Sequence, residues 1–405
     1  MILNSKKLIR IKGSRKRELH RAGWIMKDAH TLIENGYLEI ENGLIRSVHK
    51  GRPEEKSVDH GPGVLMPPLV NAHLHLELSA LKNSLPFDKG FKHWVKLLLE
   101  KRDAMGKEEL IKAAQNSLQD LLESGTLYLG DVSTLGISRQ LMEDSGLNGV
   151  FFREFLGSDI PGVLTLKNDS VSFSVAGHAP HTSSPQLLMA LKKSAASKTL
   201  LFSIHVAESD DESEFIRDKK GEWANFLTAR GIDFSSWDIG SKTPVSYIND
   251  LGLLDSSTLA VHLLNVNEKD MDLLALSNTK VCLCPRSNWN LHKKLPDIEK
   301  MIQKGIQPAL GTDSLASCAS LNIFDEMAFV QKSYQGLDPE TIIAMGTING
   351  ARALGLEHMT GTLSKGKKAQ FLYRPLGGLN KKNILQRHIE KRKKGKGSII
   401  FGLDS

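Results

Sequence analysis

Cysteine is scarce in this chain: Cys282, Cys284 and Cys318 are the only three in 405 residues. So few thiols, so clustered, exclude a disulfide framework, and the expected location is the reducing cytoplasm. Cys282 and Cys284 alternate along one strand-like run and read as buried thiols. Long apolar runs are missing too. No stretch approaches the ~18 consecutive apolar residues that would cross a bilayer. The N-terminal residues lack the continuous apolar core of a secretory signal, so no membrane partner is expected. There is no internal repeat and no glycine-rich phosphate loop after the first strong strand. The second absence weighs against the open, doubly wound sheet that is the competing fold.

The chain has the composition of a globular protein, 40% hydrophobic and 24% charged. Its length suits one large α/β domain with an appendage, or two to three ordinary domains. The net charge of +7 is unevenly spread. Residues 1–21 carry eight Lys/Arg and one acid, and so do residues 380–396, which leaves −7 for the rest. Such basic ends could meet nucleic acid or anionic lipid, but they read as solvated tails, and nucleic acid is not the expected partner.

Residues 21–66 alternate short β-like runs with turns, and Asn35-Gly36 and Asn42-Gly43 are hairpin signals. From residue 64 the texture changes to apolar, β-branched runs separated by helix-like segments. Eight such runs occupy 64–75, 126–132, 149–157, 171–178, 200–208, 259–264, 280–285 and 306–313. From His73 to Asp313 is 240 residues, close to the ~250 of a (β/α)8 barrel. KEELIKAAQNSLQDLLESG (107–125) and 338–356 read as helices. The expected class is therefore α/β: a TIM-like (β/α)8 barrel over 67–356. A small β-sandwich domain is built from both chain ends, 21–66 and 357–405, and residues 1–20 form a basic extension.

In such a barrel the chemistry sits at the C-terminal ends of the strands. Those ends carry His73, His75, His178, His181, His205, Glu208, His262, Ser287, Asn288 and Asp313. In NAHLHLELSAL (71–81) the two histidines fall at i and i+2, on one side of an extended chain, where both rings can grip one ion. Two ordinary strand-end histidines are the alternative there. The converging set as a whole is hard to explain as packing, because buried polar groups cost free energy unless paired or bound to a metal.

The set HxH, HxxE, His262 and GTDS (311–314) resembles the amidohydrolase superfamily. The likeness is to its branch of cytosine deaminases, chlorohydrolases and adenosine-type, aminodeoxyfutalosine-like deaminases. It implies that His73, His75, His205 and Asp313 hold one divalent metal per chain, Zn²⁺ or else Fe²⁺. It implies that Glu208 shuttles a proton to the substrate ring, that His262 orients the nucleophile, and that Asp313 takes the remaining proton. The strand-four end, AGHAPHTSS, lacks the lysine of two-metal relatives, which favours a single ion. Pro68 and Ala369-Gln370 depart from the family's usual glycine and Ala-Asp, outside the metal set. Glu77, Trp94, His181, Ser287 and Asn288 are further candidates for contact with a small-molecule substrate. Arg153 and Glu154 read as a structural ion pair.

The implied reaction is metal-dependent hydrolytic deamination of an aminated heteroaromatic ring, first of all an adenine-type nucleoside such as aminodeoxyfutalosine. Chloride displacement and cyclic-amide hydrolysis share the same centre and stay open. So does assembly as a homodimer. A non-enzymatic nucleic-acid-binding barrel would be expected to have lost a ligand, and none is lost here.

Overall fold

A computed structural model describes residues 9–12, 17–162, 164–240, 242–375, 385–386, 389 and 398–403. Eight parallel strands lie side by side in sequence order. They are β1 (Leu69–Leu74), β2 (Thr126–Ser133), β3 (Asn148–Phe155), β4 (Val171–Gly177), β5 (Phe202–Val206), β6 (Thr258–His262), β7 (Lys280–Leu283) and β8 (Ala309–Leu310). The sheet closes because Leu74 bridges to Asp313. There His75 N donates to Asp313 O at 3.2 Å, and the N–H groups of Thr312 and Asp313 donate to His73 O at 3.0 and 3.1 Å. The result is the expected (β/α)8 barrel. The strands are apolar at nearly every position because both faces are covered, as in parallel sheets generally.

Several strand ends turn through left-handed backbone at residues other than glycine. Ala207 (φ 55), His262 (φ 78), Leu263 (φ 52) and Asp313 (φ 57) all sit just at or past β5, β6 and β8. Such conformations cost ~1–3 kcal/mol each and tend to collect at functional sites. Gly311 is required for a different reason: an added Cβ would lie 2.8 Å from Cys282 Sγ and from His73 O. A Gly311→Ala variant is expected to lose about 1–3 kcal/mol of stability and to bind metal more weakly, because β1 must move. Urea melting with elemental analysis of the full chain checks both.

A second, mixed sheet uses both chain ends. Its strands are Ile9–Lys12, Glu18–Met26, Leu32–Glu41, Leu44–Lys50, Val58–Asp59, Val64–Met66, Phe371–Arg374 and Ser398–Leu403. Ile25, Leu38, Ile40, Ile45, Leu65, Leu363 and Phe371 form its core. By compactness the chain divides into Met1–Asn71, Gln119–Tyr128 and Asn322–Ser405 as one unit, and Ala72–Leu118 with Leu129–Leu321 as the other. That division differs from the boundaries expected at 66/67 and 356/357.

Four local expectations need correction. Asn42-Gly43 makes the hairpin turn after Leu32–Glu41, but Asn35-Gly36 lies inside that strand. The run 64–75 is two strands, split at Pro67-Pro68, where neither residue has an N–H to offer a ladder. The 338–356 helix is two, Pro339–Met345 and Ile348–Ala353, interrupted at Gly346-Thr347. Residues 1–20 are not wholly an extension: Ile9–Lys12 pairs in parallel with Ser398–Leu403, and Glu18–Met26 begins inside the segment. The charge count hid the apolar residues alternating with the basic ones. Leu19 and His20 are buried, so deleting residues 1–20 is expected to lower the melting temperature of the full chain measurably rather than leave it unchanged.

Candidate metal and active site

His73 lies on β1 and His75 just beyond it; His205 is the fourth residue of β5, and Asp313 follows β8. Their ligand atoms converge. His205 Nε2 is 3.2 Å from His73 Nε2 and 3.4 Å from His75 Nε2. Asp313 Oδ1 is 3.9 Å from His73 Nε2 and 3.6 Å from His75 Nε2. Four donors at ~2.0–2.1 Å from one tetrahedral ion stand roughly 3.3–3.4 Å apart; the two imidazole separations match that spacing, the two to Asp313 are wider, and His262 also brings a ring nitrogen within 4.8 Å of those of His73 and His205. The protonation pattern fits at His73 and His205. His205 Nδ1 is 2.8 Å from the carbonyl of His178 and carries its proton there, leaving Nε2 a bare lone pair. Burial holds the His73 imidazole well below its usual range and His205 down to about 3, so both are neutral. Burial acts the same way on His75, but the carboxylates of Asp313, Glu154, Glu77 and Asp131 outweigh it. Lone pairs and a carboxylate facing one another in a buried place need a positive charge between them.

The polar residues behind these atoms fix their directions. Asp313 Oδ2 accepts from Ser287 Oγ at 2.5 Å and from Ser317 Oγ at 2.8 Å, leaving Oδ1 for the cluster. His262 Nδ1 is 2.9 Å from Asn288 Oδ1, which turns Nε2 towards Glu208 Oε1, 3.8 Å away. Ser287 and Asn288, expected to touch substrate, are instead fully buried, Ser287 behind Asp313 and Asn288 behind His262, and neither lines the cavity. The Pro285–His292 helix begins directly after β7, so its first residues point back into the barrel mouth.

Glu208 is positioned by Glu212. The two Glu212 oxygens accept from the N–H groups of Ala207 (3.0 Å) and Glu208 (2.8 Å) and hold the turn after β5. Burial pushes the Glu208 carboxyl up, but His262, His292 and His205 pull it further down, and the net direction is well below the usual range.

Residues 64–387 match the amidohydrolase family. The chain belongs to that family. Amidohydrolases are metal-dependent enzymes, and this one is a hydrolase of carbon–nitrogen bonds other than peptide bonds. It is similar to the aminodeoxyfutalosine deaminase of Deinococcus radiodurans, 30% identical over 315 residues, which cover 72% of this chain and 73% of the relative. It is 28% identical over 338 residues to the 5-methylthioadenosine/S-adenosylhomocysteine deaminase of Moorella thermoacetica, with 78% and 74% covered. The crystal structure of Helicobacter pylori aminofutalosine deaminase in complex with methylthio-coformycin superposes with a TM-score of 0.80. That chain is 25% identical, with 92% of this chain and 96% of that one covered.

The amidohydrolase cluster opens into a cavity of about 250 Å³. His75, His178, His205, Glu208, His262 and Asp313 form its polar side, and Phe91, Trp94, Trp223 and Phe226 its aromatic side. Phe91 and Trp94 are stacked with ring centroids 5.9 Å apart, and His181 packs 4.4 Å from Trp223. Trp94 Nε1, Trp223 Nε1 and His181 Nδ1 are buried without a partner among the described residues. None of the three makes a hydrogen bond, although His181 Nδ1 stands 3.8 Å from Glu212 Oε1. Glu77 lies not on the strand alternation of His73 and His75 but in the Leu76–Leu81 turn of 3-10 helix. It borders the cavity, yet both its oxygens are engaged, by Ser133 Oγ, Thr134 N (3.0 Å) and Leu135 N (2.9 Å). Its work is to shape the loop after β2.

Reading the sequence missed several residues of this amidohydrolase. Asp131 accepts from Leu76 N at 2.9 Å and from Ser138 Oγ, and burial pushes its carboxyl up to about 7. Glu154 does not pair with Arg153, whose guanidinium lies over the Phe155 ring, 5.9 Å from the centroid. Glu154 instead accepts from Thr134 Oγ1 at 2.6 Å and leaves Oε1 3.6 Å from His205 Nδ1. Strict alternation along β3 would have separated these two side chains. No comparable signal existed for Trp223 or His292, which come from helices.

No helix among the described residues is long and apolar enough to cross a membrane.

Proposed function

We propose that this amidohydrolase deaminates an aminated heteroaromatic ring by hydrolysis, with an adenine-type nucleoside such as aminodeoxyfutalosine as substrate. One Zn²⁺ per chain is held by His73, His75, His205 and Asp313. The observation that carries the reading is that Glu208, a carboxylate outside the four-ligand set, lines the same cavity as His75, His205 and Asp313. When bound, a divalent ion supplies a water acidic enough to serve as nucleophile near neutral pH. With Nδ1 held by Asn288, His262 has a bare Nε2 that would accept a hydrogen bond from that water and orient it. Glu208 takes one proton and delivers it to the ring nitrogen beside the aminated carbon, so the ring can accept the electron pair as the C–O bond forms. Asp313 takes the second proton and passes it to the amine as the C–N bond breaks, giving ammonia and a ring carbonyl. Trp94 and His181 contact the substrate from the aromatic side. The same use of a non-ligand glutamate as general acid/base is found in zinc deaminases of another fold.

Metal-loaded protein assayed for ammonia against a panel of adenine-type nucleosides, other aminated heterocycles, cyclic amides and a chlorinated triazine tests this. Ammonia from an adenine-type nucleoside, with a matching absorbance change, is expected. Hydrolysis confined to cyclic amides or the chlorinated ring would replace deamination by that chemistry.

A further inference from the structure

His292 closes the Pro285–His292 helix, immediately before Lys293 in left-handed backbone. Its Nε2 is 3.4 Å from Glu208 Oε1, its side chain is 10% exposed, and its ring centroid is 4.6 Å from that of Phe91. His262 Nε2 faces the same oxygen at 3.8 Å. The only hydrogen bond to this carboxyl group among the described residues is therefore that of His292 to Oε1, and no described protein group hydrogen-bonds Oε2. Asn288, which holds His262, stands four residues before His292 on the same helix. Residues i and i+4 share a helix face, so one turn of one helix reaches both Glu208 and His262.

We propose that His292 is a positioning residue for Glu208. Its Nε2–H donates to Oε1 and so reserves Oε2 as the oxygen that carries the transferred proton. A carboxyl group with one oxygen engaged by a fixed N–H is protonated on the other, because a proton on the engaged oxygen would face the donor. The side chain is thereby held in one orientation, which spares the search among rotamers before transfer; small misplacements of a catalytic group are costly. Its consequence for turnover rests on the deaminase reading, while the contact itself does not.

Two variants and one spectrum test it. His292→Leu keeps the bulk and loses the donor; His292→Gln keeps an N–H at similar reach. With Zn²⁺-loaded protein, His292→Leu is expected to lower kcat by about 10–100-fold with KM within about threefold, and His292→Gln to stay within about threefold of wild type in kcat. Equal kcat in His292→Leu and wild type would overturn the proposal. So would equal impairment in both variants with unchanged melting temperature, since that would mark a role in packing alone. Nitrogen-15 spectra of the histidine rings in the full chain are independent of turnover. They should place the His292 proton on Nε2, with that signal moving on Glu208→Gln. A proton on Nδ1 alone would overturn the proposal whatever the activity. Failure of wild type to release ammonia from any aminated ring would instead count against the deaminase reading.

Discussion

Glu208→Gln is expected to lower kcat by about 10²–10⁴, the usual range for a lost general acid–base group, while metal content and substrate affinity stay near wild type. The amide has nearly the shape of the carboxyl, and the cluster of His73, His75, His205 and Asp313 does not include it. Neither ligand spacing nor cavity volume should change. The amide cannot accept the water's proton and return it to the ring. Steady-state kinetics on the best substrate of the panel, with elemental analysis of the same preparation, separates the two quantities. A variant that turns over normally would remove Glu208 from the proposed mechanism, and one that loses its metal would make it a structural residue of the cluster.

Asp313→Asn is expected to be at least as damaging, by a different route. The wild-type carboxylate divides its oxygens: Oδ2 takes hydroxyl hydrogens from Ser287 and Ser317, and Oδ1 faces His73 and His75. An asparagine offers one acceptor oxygen and one NH₂. If the oxygen stays with the two hydroxyls, the NH₂ points at the imidazoles, where the proposed ion would sit. If it turns, the buried Ser287 hydroxyl loses its acceptor, at ~1–3 kcal/mol, while Ser317 keeps the Ser314 carbonyl 3.2 Å away. The variant also removes a negative charge from the ligand set and the acceptor of the second proton. Metal affinity should fall at least 10–100-fold, by analogy with lost outer partners of metal ligands. Activity should fall by about 10³ or more even at saturating metal. Metal titration followed by assay at saturation checks the two parts in turn.

Much of this centre was legible because strand geometry has a short period. His73 and His75 two apart, and Asp313 after GT on the last strand, could be placed at strand ends from alternation and from the even spacing of eight apolar runs, while the set of four ligands came from the resemblance to the family. The depth at which polar residues sit was less legible. Ser287 and Asn288 follow β7 as substrate contacts would, but the helix that starts at Pro285 carries them behind Asp313 and His262. A sequence gives the side of a strand, not whether a polar side chain ends in a cavity or one layer behind it. Glu77 shows the same limit: the alternation ends at His75, and the following 3-10 turn redirects the side chain to the backbone of 133–135. Net charge misled at the N-terminus, where Lys and Arg alternate with apolar residues in a strand. Asn35-Gly36 shows that a dipeptide able to turn does not turn when its neighbours pair on both sides.

The claim on which the rest depends is that one metal ion sits among three imidazoles and one carboxylate. Anomalous diffraction at the zinc edge from crystals of the full chain tests it most directly. The expected result is one peak per chain, ~2.0–2.2 Å from the Nε2 atoms of His73, His75 and His205 and from Asp313 Oδ1. Two peaks per chain, or a single peak ligated by Glu154 and His178 in place of Asp313 and His75, would contradict it.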